Sequence, residues 1–303
     1  MTGVRSRVLL LSVLVALLAV ALPPTTSAAT IRRTWTATIS GASAGGATAS
    51  GTALLTRYWA GNGSFSTQLS GLAPSTIYGV AVYVGTCSNP TVLLRFPNVT
   101  TDANGGAATT ASITAARMTP VWTKAALGAI ALRIGVGADV HCSALTYPLA
   151  TRVAVPSLGI DLPVVVQKGS AFPWCNVAMY MSQLSQPGEA GVSFIYAHAR
   201  TGMFLPLLTA SLVNNGTRML GMKVYVWTSD DRMVTYQIIR VLRHQYTLPD
   251  LWSISSQQVW LQTSEGPYGT YNKLMVVAQR IAVTTVSHAA ANPRPRPIVC
   301  SLY

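Results

Sequence analysis

Acidic residues are scarce in this chain: eight Asp and Glu stand against 21 Lys and Arg in 303 residues, for a net charge of +13. Charged residues make up only 10% of the sequence while Gly occupies 24 positions, a balance that suits secreted β-rich domains. The basic residues are scattered from Arg32 to Arg296 and form no stripe with stacking aromatics, so nucleic acid is not expected as a partner. Dispersed positive charge favours anionic envelope polymers or membrane surfaces. Histidine is also rare, with four in all, and the N-terminal half holds only His141, beside Cys142. A copper or zinc site needs several imidazoles or thiolates converging on one point, so no metal and no cofactor is expected. Beyond the N-terminus no apolar run reaches the length needed to span a bilayer.

The one long apolar run, residues 8–22, is interrupted only by Ser12 and preceded by Arg5 and Arg7. Pro23, Pro24 and the small residues Thr26-Ser27-Ala28-Ala29 follow it. A positive start, a short apolar core and small residues describe a secretory signal peptide, predicted over residues 1–28 with cleavage near Ala28. The mature chain is then expected to be secreted, extracellular or envelope-associated, with no transmembrane anchor after signal cleavage. Cys87, Cys142, Cys175 and Cys300 would face an oxidising compartment where disulfides persist. Four cysteines allow three pairings. Cys87 with Cys142 is favoured because both fall in the N-terminal half, which leaves Cys175 with Cys300 to tie the tail to the second half.

From Thr34 to about Ile113 apolar and polar residues alternate with period two, in Trp35-Thr36-Ala37-Thr38-Ile39 and in residues 53–58, 64–69 and 80–84. Short strands broken by Gly, Asn and Pro predict an antiparallel β-sandwich module over residues 30–148. Asp102-Ala103-Asn104-Gly105-Gly106 predicts a hairpin turn, since Asn and Gly accept the positive φ of tight connections. The pattern Ser70-Gly71-Leu72-Ala73-Pro74, Gly85-Thr86-Cys87, Val92-Leu93-Leu94 and Thr101-Asp102 resembles the CHRD-type or superoxide-dismutase-like β modules of secreted bacterial proteins, which implies a rigid spacer or adhesive unit. A second domain is predicted over residues 152–283, opening with Val153-Ala154-Val155-Pro156 and continuing to Val166, with Pro156 and Pro163 at strand ends. Val177, Met179, Tyr180 and Leu184 predict a short helix before Pro187-Gly188. Residues 284–303 read as an Ala/Pro/Arg tail, with Pro293-Arg294-Pro295-Arg296-Pro297 extended and outside the barrel.

Three sites in the second domain carry the chemistry. Ile195-Tyr196-Ala197-His198 is a strand ending in a histidine, Trp260-Leu261-Gln262-Thr263-Ser264 a strand ending in a hydroxyl, and Lys273 leads the apolar run Leu274-Met275-Val276-Val277-Ala278. This order resembles the sortase barrel, in a class E/F-like form. Other shared features are the Pro-containing opening strand, Pro187-Gly188 before the histidine strand, Phe204 with the leucines after it, and the strand entry Gly221-x-x-Val224. The fold class expected is therefore mainly β, an N-terminal antiparallel β-sandwich module followed by a sortase-like β-barrel.

The resemblance implies peptide acyl transfer, by transpeptidation or hydrolysis, on an envelope peptide or protein. The family's histidine maps to His198, the cysteine of its TLxTC pattern to Ser264 and its arginine to Lys273. Leu261 and Thr263 match that pattern and Trp260 replaces its first Thr; Thr263, Arg200 and Phe204 are candidates for the substrate groove. A serine hydroxyl, unlike a thiol, needs an adjacent base, here His198, with an acid to orient it from among Glu189, Asp230, Asp231 and Glu265. Lys273 would hold positive charge beside an oxyanion without the planar fork of an arginine. Cys175 is the alternative nucleophile, at the start of the predicted helix, where a thiol's pKa falls. Other readings stay open: Ser264 before Glu265-Gly266-Pro267 is also an ordinary turn residue, His198 a strand-end histidine, and Lys273 a solvated strand-start lysine. The barrel would then be a catalytically silent module that binds envelope peptides or polymers, or the protein a purely adhesive one.

Overall fold

The computed structural model describes residues 30–86, 88, 91–167, 174–266 and 272–300; the predicted signal segment 1–28 and Cys87 lie outside them. The first half builds β1 (Ile31–Ala42), β2 (Thr48–Tyr58), β3 (Gly63–Ser70), β4 (Ile77–Val84), β5 (Val92–Arg95), β6 (Val99–Thr100), β7 (Ala107–Ile113), helix α1 (Ala115–Leu127), β8 (Ile130–Val136) and β9 (Asp139–Leu145). One antiparallel sheet runs β1-β2-β3-β7 and a second runs β5-β4-β8-β9, with β6 also on β4. The two-residue alternation sends Trp35, Leu55 and Phe65 inward from the first sheet to meet Tyr78, Val82, Leu132 and Ile134 from the second. The turn at Asp102 closes, Oδ1 accepting from the backbone N–H of Asn104 and Gly106, both at 2.8 Å, but it makes no hairpin, because β6 pairs with β4 and β7 with β3 in different sheets. Gly105 has φ +77°, and a side chain there would meet the Leu72 carbonyl oxygen at 2.1 Å.

Helix α1 was not expected within the β module, and it carries Pro120 in its second turn. It forms because Met118, Val121 and Ala125 bury one face against the sandwich core. Beside it Arg32, Arg33 and Arg57 gather around Trp122, their guanidinium carbons 4.4–4.9 Å from the ring centre. Burial, with Arg57 and Arg33 close by, pulls the pKa of Arg32 down to about 10.

The second half builds β10 (Ala150–Val155), β11 (Ile160–Val166), β12 (Ala178–Tyr180), β13 (Val192–Tyr196), α2 (Leu205–Leu212), β14 (Lys223–Thr228), β15 (Arg232–Gln245), β16 (Gln258–Ser264), β17 (Lys273–Thr285) and α3 (His288–Ala291). Eight strands close into a barrel in the order β10-β11-β12-β13-β16-β17-β15-β14, with β14 returning to β10. The pairs β11–β12 and β13–β16 are parallel. The molecule is thus mainly β, a sandwich followed by a closed barrel.

Two local expectations are corrected. Residues 177–184 form no helix: β12 alternates, Ala178 and Tyr180 facing the barrel interior while Val177 and Met179 face a second apolar cluster outside it. Both faces are buried, so the segment is apolar throughout, and periodicity alone does not separate it from a helix. Pro163 lies inside β11, opposite Arg152, just before the pairing to β12 begins at Val164.

The segment after β17 docks on the barrel. Thr151 Oγ1 donates to the Ala291 carbonyl at 2.6 Å, Asp231 Oδ1 lies 2.8 Å from His288 Nδ1, and Ile298 and Cys175 exchange backbone hydrogen bonds. The two halves are joined by Arg33 of β1. Its guanidinium donates to both carboxylate oxygens of Glu189, at 2.8 and 2.9 Å, and to the Leu184 carbonyl at 3.0 Å. Among the described residues no helix is long and apolar enough to cross a membrane.

Candidate active site

Strand register places the three candidate residues together. Parallel pairing of β13 with β16 sets Tyr196 against Gln262 and continues past the strand end, where the Ala197 N–H donates to the Gln262 carbonyl at 3.2 Å. His198 therefore follows β13 at the level where Ser264 ends β16. Antiparallel pairing of β16 with β17 sets Ser264 directly opposite Lys273. Face follows from parity. Ile195, Ala197, Leu261, Leu274 and Val276 point into the barrel, whereas Phe194, Tyr196, Trp260, Met275 and Val277 form the outer cluster. His198, Ser264 and Lys273 share the parity of the outer residues, so they occupy one end of one outer face on three neighbouring strands.

Two buried contacts fix that end. Thr263, 1% exposed, donates its hydroxyl to the Ala197 carbonyl at 2.9 Å and ties the end of β16 to the residue before His198. The His198 carbonyl accepts from the Phe204 N–H at 3.0 Å, and the Phe204 ring is fully buried in the barrel core. Thr263, inward by strand parity and 1% exposed, and Phe204, fully buried ahead of α2, lie behind the site, which corrects their reading as groove residues.

Lys273 Nζ lies 2.8 Å from Ser264 Oγ. Burial lowers the lysine's pKa from its ordinary value. The contact sets an amine whose ammonium is destabilised directly against a hydroxyl. The four acids considered as partners for His198 are engaged elsewhere. Glu189 holds Arg33, Asp230 accepts from Thr228 and Arg232, and Asp231 meets His288 and Asn292. Glu265, adjacent to Ser264, accepts from Arg243 Nε at 3.2 Å and lies 2.7 Å from His244 Nδ1, which anchors the loop leaving β16.

Cys175 is bonded to Cys300, so as found it offers no thiol and opens no helix, which corrects its reading as an alternative nucleophile. Cys142 is also disulfide-bonded, while Cys87 lies outside the described residues. The Cys175–Cys300 bridge sits inside the site: both sulfurs and a ring nitrogen of His198 lie within 4.8 Å of one another. Arg200 Nη1 donates to Cys175 Sγ at 3.6 Å. These are also the residues with metal-donor spacing among those described, and the two sulfurs are bonded to each other. Sequence reasoning did not place the bridge at His198, because residue 300 follows a Pro/Arg tail with no strand pattern; Ile298, apolar in that tail, was the available signal.

Residues 153–281, which take in the strands of the barrel from β11 to β16, half of β10 and most of β17, match the family model of the sortase domain. A search of curated proteins finds no match. Solved structures similar to the chain include Streptococcus agalactiae sortase C1 in complex with MTSET, at 20% identity over 43% of this chain and 66% of that one, TM-score 0.36. Listeria monocytogenes sortase A aligns at 17% identity over 48% of this chain and 98% of that one, TM-score 0.39. Streptococcus pneumoniae sortase C-1 aligns at 23% identity over 44% and 66%, TM-score 0.36. The chain thus spans just under two thirds of the length of the first of these.

Proposed function

We propose that the sortase domain is a serine-dependent peptide acyl transferase of the bacterial cell envelope, secreted by way of its N-terminal signal segment. Ser264 Oγ attacks the acyl carbon of a peptide, Lys273 takes the hydroxyl proton, and the acyl group rests on Ser264 until an amine or water removes it. His198, at the neighbouring strand end, is the acid that protonates the leaving amine. The observation that carries this reading is the 2.8 Å contact between Lys273 Nζ and Ser264 Oγ on the face shared with His198. The lowered lysine pKa supports it, since a base works best when its pKa approaches the working pH. The N-terminal sandwich, CHRD-like in its sequence pattern, is the spacer, and the positive net charge holds the protein near anionic wall polymers.

A fluorophosphonate probe tests the chemistry, because it labels serines that are activated as nucleophiles. Label mapping to Ser264 and lost in Lys273→Met is the expected result. Absence of label on Ser264, together with saturable binding of envelope peptides unchanged by Ser264→Ala, would establish a catalytically silent binding module instead.

A further inference from the structure

The disulfide at the site is asymmetric. Cys175 is 7% exposed and sits beside a cation, Arg200, and the His198 ring; Cys300 is more exposed and belongs to the docked C-terminal segment. Thiol–disulfide exchange runs fastest when the attacked sulfur is accessible and the departing sulfur is stabilised as thiolate. An adjacent guanidinium stabilises that thiolate by favouring the charged form. Both conditions select the same direction.

We infer that the Cys175–Cys300 bridge is a thiol-exchange site for small anionic thiols, in which the incoming sulfur bonds to Cys300 and Cys175 leaves as a thiolate held by Arg200. The incoming thiol gives its proton to solvent and its electron pair forms the new bond to Cys300 Sγ. The pair of the old S–S bond departs on Cys175 Sγ. The product is a mixed disulfide on Cys300 and a thiolate beside His198; a second thiol attacking the mixed disulfide yields Cys300 thiolate and the oxidised small thiol. Exchange breaks the one covalent hold on the C-terminal segment, leaving at Cys175 the backbone hydrogen bonds of Ile298, 2.9 and 3.3 Å. It also places negative charge against the candidate histidine. The site is independent of whether Ser264 is a nucleophile.

The test exposes the full chain, purified without reductant, to reduced glutathione, quenches with iodoacetamide at short times and maps the peptides. Glutathione on Cys300 with the alkyl group on Cys175, while Cys142 remains in its disulfide, is the expected pattern. Arg200→Gln should slow the exchange at least about threefold, taking one unit of thiol pKa for the lost cation and a leaving-group sensitivity like that of the nucleophile. Arg200→Lys, which keeps the charge, should restore most of the rate. Glutathione on Cys175, reduction of the Cys142 bridge at the same rate, or an unchanged rate in Arg200→Gln would each overturn the inference. If Arg200→Gln does not fold, the wild-type adduct position alone decides.

Discussion

Breaking the Arg33–Glu189 pair should cost more than any surface contact in the molecule. Arg33 is 1% exposed and makes a two-pronged bond to Glu189 plus a third bond to the Leu184 carbonyl. Glu189, 14% exposed, in turn accepts from the Gln186 N–H at 2.6 Å, so the guanidinium is buried and the carboxylate mostly shielded. Arg33→Met leaves the carboxylate without its counter-ion, and Glu189→Gln leaves the guanidinium without its own. Removing one member of a buried pair costs about 3–5 kcal/mol, most of it the desolvation of the charge left behind. For a chain of this size about 2–4 °C of melting temperature accompanies each kcal/mol, so each single variant should melt about 6–20 °C lower. The double variant leaves no unpaired charge and should lose less than the sum of the two singles. Thermal melts followed by circular dichroism, with urea titrations, close the double-mutant cycle. Single losses under about 1 kcal/mol, or costs additive within about 0.5 kcal/mol, would refute the reasoning. The consequence reaches the site, since Glu189 sits at the entry to β13, the strand that leads to His198.

Three further outcomes follow from other contacts. Thr263→Val deletes the buried bond to the Ala197 carbonyl and should cost about 1–3 kcal/mol in urea titration, while lowering Ser264 labelling by loosening His198. With Lys273 as base, acylation should climb with pH toward the lysine's lowered pKa, below its ordinary 10.5; Lys273→Met should flatten that rise, and a plateau reached by about pH 7 would assign the base to His198. Burial opposes the charge on Asp139, but donors on Ser43 and Tyr78 and the nearby His141 outweigh it and hold its pKa below the ordinary 3.8. A depressed carboxylate contributes stability that is present above the unfolded value and lost as pH falls through the folded one, so acid melts should show a loss below about pH 4 that is absent in Asp139→Asn.

Much of the fold was legible because alternation is a local signal. The strands at Trp35, Leu55, Phe65 and Val82 were readable from period two, whereas those leading to His198 and Ser264 were read from apolar runs in the order of a resembling barrel, and the first of them stops at Tyr196. Helix α1 follows the alternating stretch and was not read from it, and β12 was mistaken because burial on both faces erases alternation. For the candidate site, order and spacing singled out His198, Ser264 and Lys273, and register and parity bring them to one face. Thr263 and Phe204 matched a motif without facing a groove, since a motif says which residues recur and not which way they point. The contact that sequence did not suggest joins distant segments, Arg33 to Glu189; the Cys175–Cys300 bridge, 125 residues apart, followed from pairing four cysteines by half of the chain, with no local pattern to support it. Long-range pairing leaves no local periodicity to read.

The most direct measurement of the central claim is intact-mass analysis of the protein after brief exposure to an activated peptide ester. One acyl group on the wild type, absent from Ser264→Ala, strongly reduced in Lys273→Met and retained in the Cys175→Ala/Cys300→Ala double variant, is what a serine-centred acyl transferase requires. An adduct that persists in Ser264→Ala would contradict it.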